Sequence, residues 1–298
     1  MRFMLPTPVP QPETAWRPPL YPVPWAPSPF DHFYFTRPIS VAQKNWPSPD
    51  YRYGGVFFSS DSVHTGIDIP ASLGSPVFAS GSGQVVWTGW GLYTQDPKNK
   101  DDPYGLAVVI RHDFGFHDHP LFTVYAHLDK IIVDKGEWLQ AGDKLGEVGQ
   151  TGFTTGPHLH FEIRVGEDTF FNAANPELWL VPPQGWGILA ARIADSYDNP
   201  LSNLEVTLIS VDSGEKWNLS TYPAIGVHGD GYYQENLALS DLPAGSYKLS
   251  FTYLYKKREI TIQIQAGNIS YFYFHGLFGF QPLPPPTSES AFFVTPSP

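Results

Sequence analysis

The sequence has no cysteine and no long apolar run. The absence of cysteine excludes disulfide bonds, thiolate metal sites and a cysteine nucleophile. A membrane-spanning helix needs about 20 consecutive apolar residues, so no membrane insertion is expected. The first residues, from Met1 to Pro6, are not followed by the apolar stretch that defines a secretory signal peptide. No export signal is therefore recognised in these first residues.

Charged residues are also scarce, and acidic ones predominate. The chain has 18 Lys and Arg against 29 Asp and Glu, a formal net charge of -11. Because binding to a phosphate backbone depends on a basic surface, this balance predicts no nucleic-acid partner. Aromatic residues are abundant, at 15% of the chain. They favour large buried cores and leave open an aromatic surface for a polymeric ligand.

Proline-rich segments divide the chain into parts. Residues 1–30 combine many prolines with large aromatic residues. Proline blocks helix formation, and disordered linkers are poor in aromatics, so this segment is predicted to be an extended arm packed on a globular body. Residues 181–187 are predicted to be a linker, and residues 276–298 a proline-rich tail. Two domains are expected between these segments, at residues 31–180 and 188–275.

Both predicted domains have a β-type pattern, so the fold class is mainly β. The first has short apolar segments separated by glycine turns, and the second has six or seven segments at roughly even spacing, which favours an antiparallel β-sandwich. Residues 90–104 are polar and are predicted to be an inserted loop. Predicted strands in the first domain are 84–87, 106–111, 122–126, 144–148 and 160–165. Those in the second are 188–194, 204–210, 232–239, 247–253, 259–264 and 270–274.

His158 and His160 are the most informative residues of the chain. They lie two positions apart at the start of a predicted strand, and residues i and i+2 of a strand point to the same face. Histidine is the commonest metal ligand and carries protons near neutral pH. The pair therefore predicts hydrolytic metal chemistry if other parts of the chain supply further ligands.

Two other segments offer those ligands. His64 and Asp68 lie four residues apart, but Gly66 and Pro70 argue against a helix, so a turn is expected to present them. His127 ends an apolar strand. Catalytic zinc takes three protein ligands and keeps one position for water, and His64, Asp68 and one histidine of the pair satisfy that count. No H-E-x-x-H motif supplies a glutamate base, so histidine is expected to do that work.

A series of motifs in a fixed order then gives a family resemblance. The motifs are Tyr53-Gly54-Gly55, His64-Thr65-Gly66-Ile67-Asp68, Gly81-Ser82-Gly83, Tyr125-Ala126-His127-Leu128, Gly142-Asp143-Lys144-Leu145-Gly146 and Thr155-Gly156-Pro157-His158-Leu159-His160-Phe161-Glu162. Together they resemble the M23 family of zinc metallopeptidases, the lysostaphin/LytM-type endopeptidases. The resemblance implies a compact antiparallel sheet with an open groove. Residues 90–104 depart from a minimal family member and are expected to form a wall of that groove.

The resemblance also implies a site and a function. His64, Asp68 and His160 match the zinc ligands of the family, and His127 and His158 match its catalytic histidines. The implied reaction is hydrolysis of peptidoglycan stem or cross-bridge peptides by metal-activated water, outside the cell or in its envelope. All five positions are filled, which favours an enzyme. The alternatives are a non-cleaving peptidoglycan-binding or regulatory protein, and a zinc peptidase for another extracellular peptide.

Several residues near these motifs have competing interpretations. Asn45 lies where some relatives carry a residue that blocks the zinc, but an asparagine in a turn is favoured. His112, His117 and His119 are interpreted as parts of a hairpin loop without metal. Glu162 either orients the imidazole of His160 or has a surface or salt-bridge role.

The second domain carries no catalytic constellation. Residues 198–208 and 242–247 resemble transthyretin-like or carboxypeptidase-regulatory-like sandwiches, with immunoglobulin-like folds left open. Its many aromatic side chains are interpreted as core, with outward stacking on a glycan as the alternative. The bond that is cleaved and the oligomeric state do not follow from the sequence.

Overall fold

The computed structural model describes residues 17–56 and 63–281. Over these residues the chain consists of β-strands and two short 3-10 helices, so the predicted mainly β fold is confirmed. The strands of the first half are β1 (Ile67–Pro70), β2 (Pro76–Phe78), β3 (Gly83–Gly89), β4 (Leu106–Phe116), β5 (His119–Ile131), β6 (Trp138–Leu139), β7 (Lys144–Val148), β8 (His158–Val165) and β9 (Ala173–Ala174). The 3-10 helices cover Phe170–Asn172 and Pro176–Leu178. No helix among these residues is long and apolar enough to cross a membrane.

The first nine strands form one antiparallel sheet, in which β8 is central to the site. The order is β1-β8-β5-β4-β3-β6, while β7 pairs with β2 and β5 and β9 pairs with β8. Strands β4 and β5 read as continuous apolar runs because both of their faces are covered. Val108 and Tyr125 face the main apolar core, whereas Val109 and Val124 face a second cluster.

That second cluster is completed by the segment predicted as an inserted loop. Leu92 and Tyr104 are buried in it, and the segment contains no strand. The buried carboxylate of Asp102 organises the loop by accepting hydrogen bonds from the backbone N–H groups of Thr94 (2.9 Å) and Tyr104 (3.1 Å). The loop therefore covers one face of the sheet in addition to reaching the site described below.

The C-terminal strands form two four-stranded sheets that share one apolar core. They are β10 (Trp186–Ala194), β11 (Glu205–Ser210), β12 (Lys216–Ser220), β13 (Leu237–Pro243), β14 (Gly245–Tyr253), β15 (Lys256–Ile264), β16 (Ile269–His275) and β17 (Gly279–Gln281). The sheet orders are β13-β10-β16-β17 and β12-β11-β14-β15. Leu189 and Phe274 of the first sheet share a fully buried cluster with Leu208 and Leu249 of the other. Hydrophobic burial between the two sheets thus holds this half together.

Two details of this half correct the sequence interpretation. Strands β10 and β16 pair in parallel, so the sheets are not wholly antiparallel; the long connection that this requires contains β11 to β15. The strand predicted at 232–239 begins only at Leu237, because Asp230 accepts hydrogen bonds from the backbone N–H groups of Tyr232 (2.8 Å) and Tyr233 (3.0 Å). Such side-chain to backbone bonds favour a turn over a strand.

The arm and the linker are both packed against the rest of the protein. Residues 17–30 run without regular structure, and Trp25 donates its indole N–H to the carbonyl of Gly267 at 2.7 Å. Residues 1–16 of the predicted arm and 282–298 of the predicted tail lie outside the described residues. Val181 is fully buried, and Ile188 and Ala190 belong to the same apolar cluster as the first sheet. The two halves therefore share a continuous core.

Candidate metal centre and active-site groove

Strand β8 brings the predicted site residues together through its register with its two neighbours. Asp68 of β1 lies directly opposite His160, and Pro70 lies opposite His158. On the other side of β8, Ala126 of β5 lies opposite His160, which places His127 beside the site. His158 and His160 share one face of β8, as residues two apart in a strand do.

Three side chains converge within this arrangement. Nε2 of His64 lies 2.9 Å from Nδ1 of His160, and Oδ1 of Asp68 lies 3.0 Å from both nitrogens. Among the described residues, these three form the group of His and carboxylate side chains whose ligand atoms, all within 4.8 Å of one another, could hold a metal ion. Two imidazoles and a carboxylate are the donor types of catalytic zinc sites.

Hydrogen bonds at the far side of each imidazole orient these donors. Nδ1 of His64 lies 3.0 Å from the carbonyl of Arg52, and Nε2 of His160 lies 3.1 Å from Oε1 of Glu162. Each ring donates its N–H there, which assigns the tautomer and leaves the other nitrogen as a lone pair towards the group. The residues present therefore fit a zinc ion, with Nε2 of His64, Nδ1 of His160 and the Asp68 carboxylate as donors.

Buried charge surrounds this donor set. Burial by itself raises the pKa of Asp68, but the neighbouring His64, His160 and His158 hold it well below its usual range. Burial lowers the pKa of His160, but in the absence of a metal ion the hydrogen bonds that its ring donates to Asp68 and Glu162 outweigh this and raise the pKa to about 9. The carboxylates of Asp68 and Glu162 flank the His160 imidazole, and this arrangement favours a positive charge, either a proton or a metal ion, at that ring.

Glu162 is held in turn by its own partners. Its side chain is fully buried, and Arg164 pairs with it at 2.7 Å while Tyr104 donates a hydrogen bond to it at 2.6 Å. Thr65 also donates its hydroxyl to Glu162. Despite the burial of the group, Arg164 and His160 keep the pKa of Glu162 below its usual range. Glu162 thus both contacts the His160 imidazole and makes a buried ion pair, and it is not a surface residue.

His127 and His158 lie side by side next to the three donors. Their ring centroids are 4.8 Å apart, and that of His127 is 5.6 Å from the His160 ring. Nδ1 of His127 donates to the carbonyl of Thr151 at 2.7 Å, and Nδ1 of His158 donates to the carbonyl of Gly156 at 2.8 Å. Burial lowers the pKa of both residues, and for His127 it falls to about 3.

The backbone at His127 differs from the sequence expectation. Strand β5 does not end there but continues to Ile131, and His127 has a φ of 61° within it. Positive φ is rare for residues other than glycine, and such local strain is concentrated at functional sites. The pairing of β5 with β4 and β7 shifts register on either side of this position. The irregularity turns the imidazole towards the donor group.

These side chains lie in an open groove of about 470 Å³. Its aromatic wall includes Tyr93 of the 90–104 segment, which meets Phe170 edge-to-face at 5.5 Å. Phe153 borders the groove and remains 68% exposed. Apart from Asp68, the groove-lining side chains among the described residues carry no carboxylate, lysine or arginine. The groove thus offers apolar walls with a polar, buried donor group at its base.

All five predicted site residues therefore come together, and other histidines do not join them. His112 is buried and bonds to the carbonyl of Ser82 at 2.9 Å, while His117 and Asp118 have positive φ in the tight turn between β4 and β5. Asn45 does not line the groove, and its carbonyl accepts a hydrogen bond from Arg37. The carbonyls of Arg52 and Thr151 were missed from the sequence because every residue type supplies a carbonyl.

Comparison with known proteins agrees with this geometry. The family model described as peptidase family M23 matches residues 62–172. Peptidoglycan DD-endopeptidase ShyA of Vibrio cholerae is 40% identical over 103 residues, which is 34% of this chain and 20% of that protein. The uncharacterised lipoprotein YgeR of Escherichia coli is 33% identical over 129 residues, 43% of each chain. The chain thus spans less than half the length of these relatives.

A solved structure gives a further comparison. The catalytic domain of the antimicrobial peptidase lysostaphin from Staphylococcus simulans is 29% identical, with a TM-score of 0.39; the match covers 46% of this chain and 95% of that one. All five site residues fall inside the segment that the family model matches. Residues 62–172 of this chain therefore form a peptidase family M23 domain.

Proposed function

We propose that the chain is a zinc-dependent endopeptidase that hydrolyses peptide bonds in peptidoglycan stem or cross-bridge peptides. The observation that carries this proposal is the convergence of His64, Asp68 and His160 beside His127 and His158 at the base of an open groove. A complete donor set next to two proton-carrying side chains favours hydrolysis over binding alone. The endopeptidase relative supports peptidoglycan as the substrate.

The donor set and the two further histidines have separate roles in this proposal. Zinc, when bound by His64, Asp68 and His160, lowers the pKa of water and polarises a peptide carbonyl. Nδ1 of His127 donates to a carbonyl, so its Nε2 lone pair is left to the groove and can accept a proton from the attacking water. Nδ1 of His158 also donates to a carbonyl, while its Nε2 lies 3.3 Å from Oδ2 of Asp68, which keeps this imidazole beside the donor set.

The proton balance of the reaction then closes within the groove. The water oxygen bonds to the peptide carbon, and one histidine takes the water proton and becomes an imidazolium. That cation donates its N–H first to the developing oxyanion and finally to the leaving amine as the C–N bond breaks. The second water proton leaves the new carboxyl group for the amine, so the products are a carboxylate and an ammonium group, and the histidine is neutral again.

The shape of the groove supports a polymeric peptide substrate. It is open to solvent rather than enclosed, so a segment of a longer chain can enter it. The side chains of Tyr93, Phe153 and Phe170 provide apolar contact along it. We place the protein outside the cell or in the cell envelope, since the relatives include a peptidoglycan hydrolase and a lipoprotein.

The test is digestion of muropeptides of defined structure, followed by mass spectrometry. We expect new amine termini, one zinc per chain by metal analysis, and loss of cleavage with a chelator and in His160→Ala. His119→Ala, at the start of β5, is the matched control and should retain both zinc and activity. Binding of muropeptides without cleavage would favour a non-cleaving peptidoglycan-binding or regulatory protein. Cleavage of other peptides but not of muropeptides would favour a zinc peptidase for another extracellular peptide.

A further inference from the structure

One short segment, residues 48–56, lies between the metal-ligand region and the C-terminal half. This 48–56 segment makes backbone hydrogen bonds to both His64 and Asp68. The N–H of Asp68 donates to the carbonyl of Tyr51 at 3.0 Å, and its carbonyl accepts from the N–H of Ser48 at 2.7 Å. His64 exchanges the equivalent pair of bonds with Gly54 (2.8 Å) and Gly55 (2.9 Å).

The same segment also orients a ligand side chain. The carbonyl of Arg52 accepts the Nδ1–H of His64 at 3.0 Å, and this bond leaves Nε2 for the metal. A shift of this carbonyl would therefore change both the rotation of the ring and its tautomer. The position of the 48–56 segment is thus coupled to the geometry of the donor set.

On its other side, the 48–56 segment contacts the loop between β12 and β13, residues 221–236. The Tyr53 hydroxyl donates to the carbonyl of Ala173 at 2.8 Å and accepts the backbone N–H of His228 at 3.3 Å. The Tyr53 ring meets Tyr222 edge-to-face at 5.3 Å. Gly54 lies so close to this ring that an added Cβ would be 2.8 Å from Cδ1 of Tyr222.

The 221–236 loop is itself fixed, so it provides a rigid contact. The Tyr222 hydroxyl accepts a hydrogen bond from Asn175 at 2.8 Å and donates to Glu235 at 3.0 Å, and all three residues are buried. The loop also reaches the rim of the groove, because a Cβ at Gly226 would lie 2.9 Å from Cγ2 of Val63, which lines it.

A second connection runs through the Arg52 side chain. Its guanidinium pairs with Glu177, whose carboxylate also accepts the N–H and the hydroxyl of Ser240 in β13, each at 2.7 Å. Glu177 is buried, so this contact is shielded from solvent. The residue that supplies the carbonyl for His64 is therefore attached to the C-terminal sheets by its side chain.

We propose that the 221–236 loop is a positioning element of the metal site, with Tyr53 and Tyr222 as its positioning residues. The C-terminal half then forms part of the catalytic unit, through the 48–56 segment, and is more than a spacer or a wall-targeting module. This inference rests on the proposed zinc chemistry, but it concerns the tightness of metal binding and does not depend on the identity of the substrate.

The test compares zinc affinity in four variants of the full chain. Tyr53→Phe and Tyr222→Phe each remove one hydroxyl and keep the ring. Tyr247→Phe is the matched control, because its buried hydroxyl donates to the carbonyl of Pro243 at 2.8 Å inside the C-terminal core, away from the loop. Competition with a chromophoric chelator gives the affinity, and thermal unfolding confirms that each variant is folded.

We expect zinc affinity to fall about 2- to 30-fold in Tyr53→Phe and Tyr222→Phe, the usual range for residues that act on a site without touching it. The control should stay within about twofold of the wild type. Ser240→Ala removes one hydrogen bond to Glu177, the partner of Arg52, and should lower zinc affinity by a smaller factor. This variant tests the inference if the tyrosine variants do not fold.

The outcomes separate this inference from the proposed function. A wild-type chain that binds one zinc, with the same affinity in all the variants, overturns the inference alone. An equal loss in Tyr247→Phe also overturns it, because the effect would then be general destabilisation. A wild-type chain that binds no zinc overturns the inference and the proposed function together.

Discussion

Asp68 and His160 face each other across strands β1 and β8, and Oδ1 of Asp68 lies 3.0 Å from Nδ1 of His160. Directly opposite residues in an antiparallel pair bring their side chains closest. The sheet register therefore creates the donor group, although 92 positions separate the two residues in sequence. A substitution that shifts this register should abolish zinc binding. A substitution of a residue that contacts the donors should change the zinc affinity without abolishing binding.

Glu162→Gln should weaken zinc binding about 10- to 100-fold, because the partner of a ligating imidazole tunes its basicity and orientation. The change also leaves the buried Arg164 with less compensating charge, so the free energy of unfolding should fall by about 3–5 kcal/mol. Chelator competition and urea denaturation measure the two effects. The exposed Glu167, changed to Gln, is the control. Unaltered zinc affinity in Glu162→Gln would refute the role of this carboxylate.

His127→Ala and His158→Ala should each retain one zinc per chain and lose about 10²- to 10⁴-fold in the rate of muropeptide cleavage. The reason is that their nitrogens are held by carbonyls and lie beside the three donors without belonging to them. Metal analysis and single-turnover kinetics check this. Loss of zinc from either variant would assign that histidine to the ligands instead.

Gly66→Ala should damage the site through a steric clash. A Cβ at Gly66 would lie 2.3 Å from the carbonyl oxygen of Phe161 and 3.0 Å from Cε1 of His160. Forcing β1 away from β8 should cost about 1–3 kcal/mol of stability and lower zinc occupancy. Gly156→Ala is the control, since an added Cβ there meets no atom within 4 Å. Equal stability and zinc content in the two variants would contradict the close approach.

Glu235 predicts a pH dependence of stability. Burial, reinforced by the charge of Asp230, raises the pKa of Glu235 to about 8 from its usual 4.5. A raised pKa in the folded state means that the protonated group stabilises the protein fully below pH 4.5, and that this contribution is lost as the pH rises through about 8. The loss is at most ~1.4 kcal/mol per pH unit.

Glu235→Gln tests this expectation because the amide has the same shape and does not titrate. The variant should lose less stability than the wild type between pH 5.5 and pH 8.5, as measured by urea denaturation at both values. The other ionisable groups that face Glu235, which include Asp230, Tyr222, Tyr53 and Tyr271, are unchanged in the variant. Parallel pH profiles for the two proteins would show that Glu235 is not the titrating group.

The sequence predicted much of the site, and the reasons are visible in particular residues. His158 and His160 share a strand face because strand periodicity is local, and this needs no knowledge of the fold. The strand predicted at 144–148 has those bounds in β7. Strand β12 was not predicted, and the strand predicted at 232–239 begins late, since Asp230 instead bonds to the backbone of Tyr232 and Tyr233.

The sequence by itself determined the residue types of the donor set, the mainly β character and the absence of thiol chemistry, because each depends on composition or on contacts between near neighbours. The tertiary structure decided which residues orient the donors. The carbonyls of Arg52 and Thr151 and the contact of Tyr222 with the 48–56 segment depend on pairings between distant parts of the chain. Such pairings are set by the packing of the whole fold, which local pattern does not encode.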